Sequence, residues 1–346
     1  MSGLILVQNE SSRALLAKIA ESAQQAGISE ISIVGAENGL PGFSSYNQSA
    51  IHSAIEAALN DLKSSRVTIL NLGIFQEASQ LSALLSSLSN SQSELTVAQF
   101  RRGDDLIAAN EGSVEDLIDL LSNNPEWPAM AISADRELAL SLIKGQADSI
   151  SEIIALMLVR GTIQGASIGA TSEIFKSSSL ELSLSNTAMA RLLGIVLSEC
   201  NIEELFPNHP WDRHQEESAA AAYHALAALF IKFGELSGAA ECLALSDQFE
   251  DSPRSLALKG MIARLKGETL GAVANMVASL QQYELRKLSN ANHFVRFIPR
   301  NIEQITVKLQ AGLSALNRSE NEKALELFSE AVFNFDPFFS QAGLPR

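Results

Sequence analysis

The chain has 346 residues, 46% of them hydrophobic and only 6% aromatic, with a formal net charge of −15. That apolar content argues against global disorder and can supply the cores of two or three domains, while few aromatics beside abundant Ala, Leu and Ser favour helix over sheet. An acidic chain repels phosphate backbones, which argues against nucleic acid as a partner, and two distant cysteines, Cys200 and Cys242, argue against a disulfide framework or a cysteine metal knuckle. Both cysteines read as buried small hydrophobes.

The opening MSGLILVQNESS has no basic region and a short apolar run, unlike a signal peptide or anchor. The run IIALMLV stops at Arg160, well short of the roughly 20 apolar residues of a membrane span. A soluble, cytoplasmic protein in a reducing compartment follows, with no membrane partner and no bound cofactor.

From the N-terminus, five short β-rich runs recur: LILV (4–7), ISIV (31–34), VTIL (67–70), LTVA (95–98) and AMAI (129–132). Each is nearly all apolar, as in strands covered on both faces. Amphipathic helical patterns separate them at 11–25, 48–62, 75–88 and 114–121. Strand and helix in alternation predict a doubly wound α/β domain over residues 1–135, with a mostly parallel sheet.

Ligands of such sheets sit beyond the carboxyl ends of the strands. The most suggestive loop there is GAENGLPGF, where Gly35, Gly39 and Gly42 follow a strand and precede a predicted helix. Its backbone N–H groups would suit a phosphate. The pattern is neither GxGxxG nor a Walker loop, so a plain loop is the competing reading. RRGDD (101–105) offers arginines for an anion or aspartates for a metal, or else a solvated helix start with Asp104 near the N-terminal dipole.

LILVQNESSRALLAKI and ILNLG (69–73) resemble the opening and the third strand of a response-regulator receiver domain. The departures are Asn9-Glu10 in place of an acidic pair and Asn71 at the phosphoacceptor position. The resemblance therefore implies a pseudo-receiver without phosphotransfer.

Residues 136–206 read as mostly helical. Gly161, Gly165 and Gly169 recur at four-residue spacing, which predicts close packing of two helices, with a flexible loop as the alternative. KSSSLELSLS (176–185) reads as a connector or short strand, and 187–206 as an amphipathic helix. NHPWDRHQEE then gathers His209, Asp212 and His214, residue types suited to zinc or iron. Their spacing fits no metal motif, so the reading is a turn into a helix with Asp212 as N-cap and no metal.

The last part, 207–346, repeats. Gly312 is followed by Ala324, Phe328 and Ala331. Gly260 is followed at the same offsets by Ala272, Met276 and Ser279, and Ala227 by Ala239, Leu243 and Ser246. Small residues on a first helix admit a second, a large residue fills the gap, and a second small residue admits the next unit. Pro253 and Pro337 close units. The pattern resembles the tetratricopeptide repeat family over about Ala219–Ala342. By that resemblance the concave face of the stack binds peptides or proteins. The insertion between the second and third units carries Arg286, Lys287, His293, Phe294, Arg296, Phe297 and Arg300, a candidate contact for an acidic partner segment.

No catalytic triad or paired-carboxylate motif stands out. The leading expectation is an interaction scaffold or adaptor, with a non-catalytic α/β domain. The alternative is an enzyme that binds a nucleotide or phosphorylated small molecule over Gly35–Gly42. A third reading is a self-associating structural subunit, a homo-oligomer.

Overall fold

The computed structural model describes residues 2–7, 13–35, 44–46, 50–71, 81–102, 105–107, 113–122, 131–176, 184–289 and 302–344. The chain divides into two compact units: Met1–Ala188 with Ser198–Cys200, and Met189–Leu197 with Asn201–Arg346.

The first unit holds a mixed, mainly parallel sheet. Its strands are β1 (Ser2–Val7), β2 (Ile28–Val34), β3 (Ser44–Tyr46), β4 (Arg66–Asn71), β5 (Leu95–Arg102), β6 (Asp105–Ile107), β7 (Ala131–Asp135) and β8 (Ile168–Lys176). Among the described residues their order is β3-β2-β1-β4-β7-β5-β6, with β8 also paired to β5. Four of the five apolar runs lie within strands; of the fifth, Ala131 and Ile132 open β7, and Ala129 and Met130 lie outside the described residues. The mostly parallel sheet that was expected is found, with one reversal: β7 lies between β4 and β5 and is antiparallel to both. An apolar run carries no mark of direction, so the reversal is not readable from composition.

Helices α1 (Arg13–Gln25), α2 (Ile51–Asp61), α3 (Leu81–Ser89), α4 (Asp116–Ser122), α5 (Arg136–Leu142) and α6 (Ile150–Ile163) complete this unit. Alternation along the strands decides which helix meets which face. Leu4, Leu6, Ile31, Ile33 and Leu70 pack with Ile19 and Ala23 of α1 and with Leu81, Leu84, Leu85 and Leu88 of α3. The opposite face carries Ile5, Ile69 and Ile132, joined in one register row and all buried. On that side α2 packs on β1 and β2, and α5 on β4 and β7. Each such side chain, fully buried, contributes roughly 1.5–3 kcal/mol.

Arg66 ties three strands together. Its Nε donates to Ser133 Oγ at 3.1 Å, and its Nη2 donates to Ser93 O at 2.9 Å and to Thr96 Oγ1 at 3.0 Å. Burial pushes its pKa down, against the pull of Asp135, whose carboxylate is 3.6 Å away.

The glycines at four-residue spacing do not join two helices. Gly161 ends up against the side chain of Leu95, so its missing Cβ lets α6 approach β5. Gly165 turns the chain at φ 70°, and Gly169 lies in β8 opposite Thr96. The region read as mostly helical thus contributes a strand to the sheet.

The division between units falls within α7 (Asn186–Glu199), an amphipathic helix in which Met189, Leu192, Leu193 and Val196 are buried and Leu197, also expected to face inward, is half-buried. The second unit continues with α8 (Ile202–Leu205) and three helical hairpins. These are α9 (Gln215–Lys232) with α10 (Leu236–Phe249), α11 (Pro253–Leu265) with α12 (Thr269–Ser289), and α13 (Ile302–Asn317) with α14 (Asn321–Phe335). A short α15 (Phe338–Gln341) follows.

The three hairpins turn in the same way. Gly234, Gly267 and Ser319 follow the first helix of each hairpin with φ of 79°, 80° and 60°. The next N–H reaches back each time: Glu235 N to Phe230 O at 2.9 Å, Glu268 N to Ala263 O at 2.9 Å, and Glu320 N to Ala315 O at 3.0 Å. That is the Schellman closure, which satisfies helix-end carbonyls. Small residues sit where the helices of a hairpin touch. A Cβ on Gly260 would lie 3.2 Å from Met276, so the glycine marks a place of close approach.

Candidate functional site

Among the strands, β1 is flanked by β2 on one side and β4 on the other, all parallel. The chain runs outward from β1 to β2 and β3, then returns to the far side of β1 as β4. The strand order therefore reverses between β1 and β4, with Val7 opposite Asn71 at their carboxyl ends. A reversal of this kind leaves a crevice at the carboxyl edge, where open α/β sheets take ligands. Residues 8–12, 36–43 and 72–80 follow these strand ends in the sequence. Asn71 itself is 5% exposed, a buried polar side chain at the end of the strand.

Because β7 is antiparallel to β4 and to β5, β5 runs parallel to β4 and ends at this same edge. There RRGDD is not a helix start. Arg101 pairs with Leu106 and Arg102 with Asp105 across an antiparallel hairpin of β5 and β6. The next described helix, α4, begins at Asp116, near the start of the 114–121 expected. Asp104 lies outside the described residues, and both arginines are placed at the end of β5.

The glycine loop fares less well as a phosphate cradle. Gly35 has φ 85°, and its N–H donates to Tyr46 O at 3.0 Å, closing the β2–β3 ladder. That N–H is committed to the fold. The segment also leads into a strand, β3, and not directly into a helix. Gly39 and Gly42 lie outside the described residues.

Beside β3 is a polar cleft of about 220 Å³ lined by Glu30, Ser32, Ser44, Tyr46 and Asp61, among others. Tyr46 Oη donates to Asp61 Oδ2 at 2.6 Å. Burial, then Asp61, pushes the Tyr46 phenol up. Glu30 accepts from the N–H groups of Ser64 at 2.7 Å and Lys63 at 3.0 Å, and from the Ser64 hydroxyl, which together hold its carboxyl below its ordinary value. These groups are spent on one another and on the backbone.

In the second unit the histidine segment forms a stacked turn. His209 lies between Phe206 and Trp211, with ring centroids 5.2 and 5.9 Å away, and its Nδ1 is 3.2 Å from Ser218 O. The N-cap of α9 is His214, not Asp212. The turn donates Arg213 N and His214 N to Pro210 O, which delays the helix by two residues beyond Asp212. Among the described residues no group of three His, Cys, Asp or Glu side chains is arranged to hold a metal ion.

Of the proposed partner contacts, Arg286 and Lys287 lie in α12, while His293, Phe294, Arg296, Phe297 and Arg300 fall outside the described residues. Sequence reasoning missed a buried polar cluster in the helices: Asp336 with Arg254 and Tyr283. Its members are too far apart in the chain to show a spacing. Cys242 is buried, and burial, then Glu241, pushes its thiol up to about 12. Among the described residues no helix is long and apolar enough to cross a membrane.

No protein-family model matches the chain, and no curated protein matches it. Among solved structures it is similar to S. aureus TarS 1-349 in complex with UDP-GlcNAc, at 12% identity and a TM-score of 0.42, over 86% of this chain and 94% of that one. It is similar to glucosyl-3-phosphoglycerate synthase from Mycobacterium tuberculosis in complex with phosphoglyceric acid, at 15% identity and a TM-score of 0.39, over 57% of this chain and 79% of that one. A third is mannosyl-3-phosphoglycerate synthase from Rubrobacter xylanophilus, at 17% identity and a TM-score of 0.38, over 59% and 75% of the two chains. Likeness at this level transfers no activity. It does correct the scaffold expectation, because these three are named as synthases or as complexes with small molecules, and none as a protein-binding repeat. The adaptor role, and a partner set limited to proteins, are withdrawn.

Proposed function

We propose that the first unit binds a nucleotide or another phosphorylated small molecule at the carboxyl edge of its sheet, and that the protein is an enzyme acting on that ligand. The observation that carries the reading is the reversal of strand order between β1 and β4, with Val7 and Asn71 side by side at the strand ends. Crevices at such reversals receive phosphorylated ligands because strand ends and following helix N-termini direct N–H groups there. The β5–β6 hairpin brings Arg101 and Arg102 to the same edge, cations of the kind that hold phosphate oxygens. The Gly35 N–H is not part of the proposed cradle.

For the second unit the proposal extends to geometry alone. Its three hairpins share a turn and a close-packing position, in the manner of the tetratricopeptide arrangement that the sequence resembles. The receiver-like opening of the first unit is likewise a proposal of shape, without phosphotransfer at Asn71.

Thermal unfolding of the full chain with UDP, ADP, GDP and 3-phosphoglycerate, each with and without a divalent cation, tests the reading. A ligand at a hundred times its Kd stabilises the folded state by about 2.7 kcal/mol. The expected result is a rise in Tm with at least one of these, weakened by Arg101→Ala/Arg102→Ala. No rise with any of them at millimolar concentration sinks the reading.

A further inference from the structure

Asp336 ends α14 with its side chain 2% exposed, an unusual place for a carboxylate. Four donors converge on it. Arg254 gives Nε at 2.8 Å and Nη2 at 3.1 Å, Tyr283 gives Oη at 2.6 Å, and the backbone N–H of Phe338 lies at 3.0 Å. The donors come from three places: the start of α11, the middle of α12 and the start of α15. Arg254 also lies 4.3 Å from the centroid of the Phe338 ring, and the Tyr283 and Phe335 rings are tilted against each other with centroids 4.6 Å apart. Burial, then the nearby Asp336 charge, pushes the Tyr283 phenol well above its ordinary range, so it remains a donor.

We propose that Asp336 is a charge-dependent latch that holds the last hairpin, α13–α14, and α15 on the second hairpin. The docking surface of that hairpin is the packing of α14 against α12, and the latch sits at one end of it. With the carboxylate ionised, the Arg254 charge is matched and all three elements are tied. With it neutral, a guanidinium is left in a mostly buried place without its counter-charge, which is strongly unfavourable. The latch is also reachable. A cleft of about 20 Å³, room for a single water, is lined by Asp336, Arg254 and Tyr283 together with Glu217, His224 and Glu250. Those last three are the other titratable groups that face it. One carboxylate oxygen of Glu217 is buried without a hydrogen bond, 3.6 Å from His214 Nδ1. Neutralising Asp336 therefore releases the last hairpin while the first two stay folded.

Hydrogen exchange read by mass spectrometry on the full chain tests this with Asp336→Asn, which keeps the shape and removes the charge. Protection in α13–α15 is expected to fall at least about a hundredfold, with α9–α11 unchanged. Adding Arg254→Met to Asp336→Asn removes the stranded cation and should restore most of the protection. If the single variant does not fold, Tyr283→Phe removes one donor and should give a smaller loss with the same boundary. Wild-type protection in α14, or a loss spread evenly over α9–α15, overturns the proposal.

Discussion

The Cε1 atom of Phe328 lies 2.7 Å from where a Cβ on Gly312 would sit. The two residues face each other across the third hairpin, and the ring fills the space that the glycine leaves. Gly312→Ala therefore forces a fully buried, rigid ring to move, at a cost of about 1–3 kcal/mol. The same change at Gly260 meets the Met276 side chain at 3.2 Å. Methionine adapts, and alanine gains about 1 kcal/mol of helix propensity over glycine, so Gly260→Ala is expected to be near neutral. Urea midpoints of the two variants measure the contrast. Equal losses would mean that the ring yields as easily as the thioether.

That pair was legible in the sequence because small and large residues recur at one offset along helices of regular pitch. The five apolar strands were legible for the same kind of reason, a local pattern with a local cause. What escaped lacked such a pattern. SSY of β3 and DLI of β6 are three residues long, too short to alternate. The strand IGATSEIFK of β8 carries a glycine and polar residues and so lacks an apolar run; among the described residues it pairs with β5. The direction of β7 depends on the path of its connections, and Arg254 reaches Asp336 across 82 positions. Gly35 was read as a ligand contact because φ > 0 and an exposed N–H look alike in sequence, whereas its N–H bonds Tyr46.

Arg66 gives the sheet a polar staple, and its loss should be costly. Arg66→Met keeps much of the volume but leaves the buried hydroxyls of Ser133 and Thr96 and the Ser93 carbonyl without their donor. A loss of about 2–4 kcal/mol is expected. Arg66→Met with Ser133→Ala and Thr96→Val removes two of those orphans and should recover part of it. A single variant as stable as the parent in denaturant would show that water replaces the guanidinium.

Glu30 gives stability a pH dependence of defined sign. Its carboxyl is held below the ordinary value of 4.5, first by the Ser64 hydroxyl, against a smaller opposing effect of burial, with the Ser64 and Lys63 N–H groups adding to the lowering. A lowered folded pKa means that the contribution is full above the unfolded value and is lost as pH falls through the folded one. Glu30→Gln should thus be less stable than the parent at pH 7, and the gap should close below about pH 4. A gap that is constant across pH 3–7 would show that ionisation is not its source.

The two thiols should differ in reactivity. Cys242 is buried with its pKa pushed up to about 12, and Cys200 is half-buried. At pH 8 a thiol needs both its thiolate and access to reagent. One thiol per chain is expected to react with a disulfide reagent in the native state, and two in guanidinium chloride. Cys200→Ser should abolish the native reaction. Persistence of a full native equivalent in that variant would mean that Cys242 opens to solvent.

Ser319 stands where the other two hairpins place Gly234 and Gly267, and it is the non-glycine residue with positive φ, 60°, among those described. A side chain in that region costs roughly 1–2 kcal/mol, from which the extra freedom of unfolded glycine subtracts about 0.5–1 kcal/mol. Ser319→Gly is therefore expected to stabilise the second unit by about 0.5–1 kcal/mol. Gly234 and Gly267 supply the reverse experiment. A Cβ on either would meet nothing within 4 Å, so an alanine there is strained only through φ. Gly267→Ala should destabilise by about 1 kcal/mol. The three changes, followed by chemical denaturation, test whether the turns are energetically equivalent. If Ser319→Gly lowers the midpoint, the serine side chain holds the third turn in a way the other two do not share.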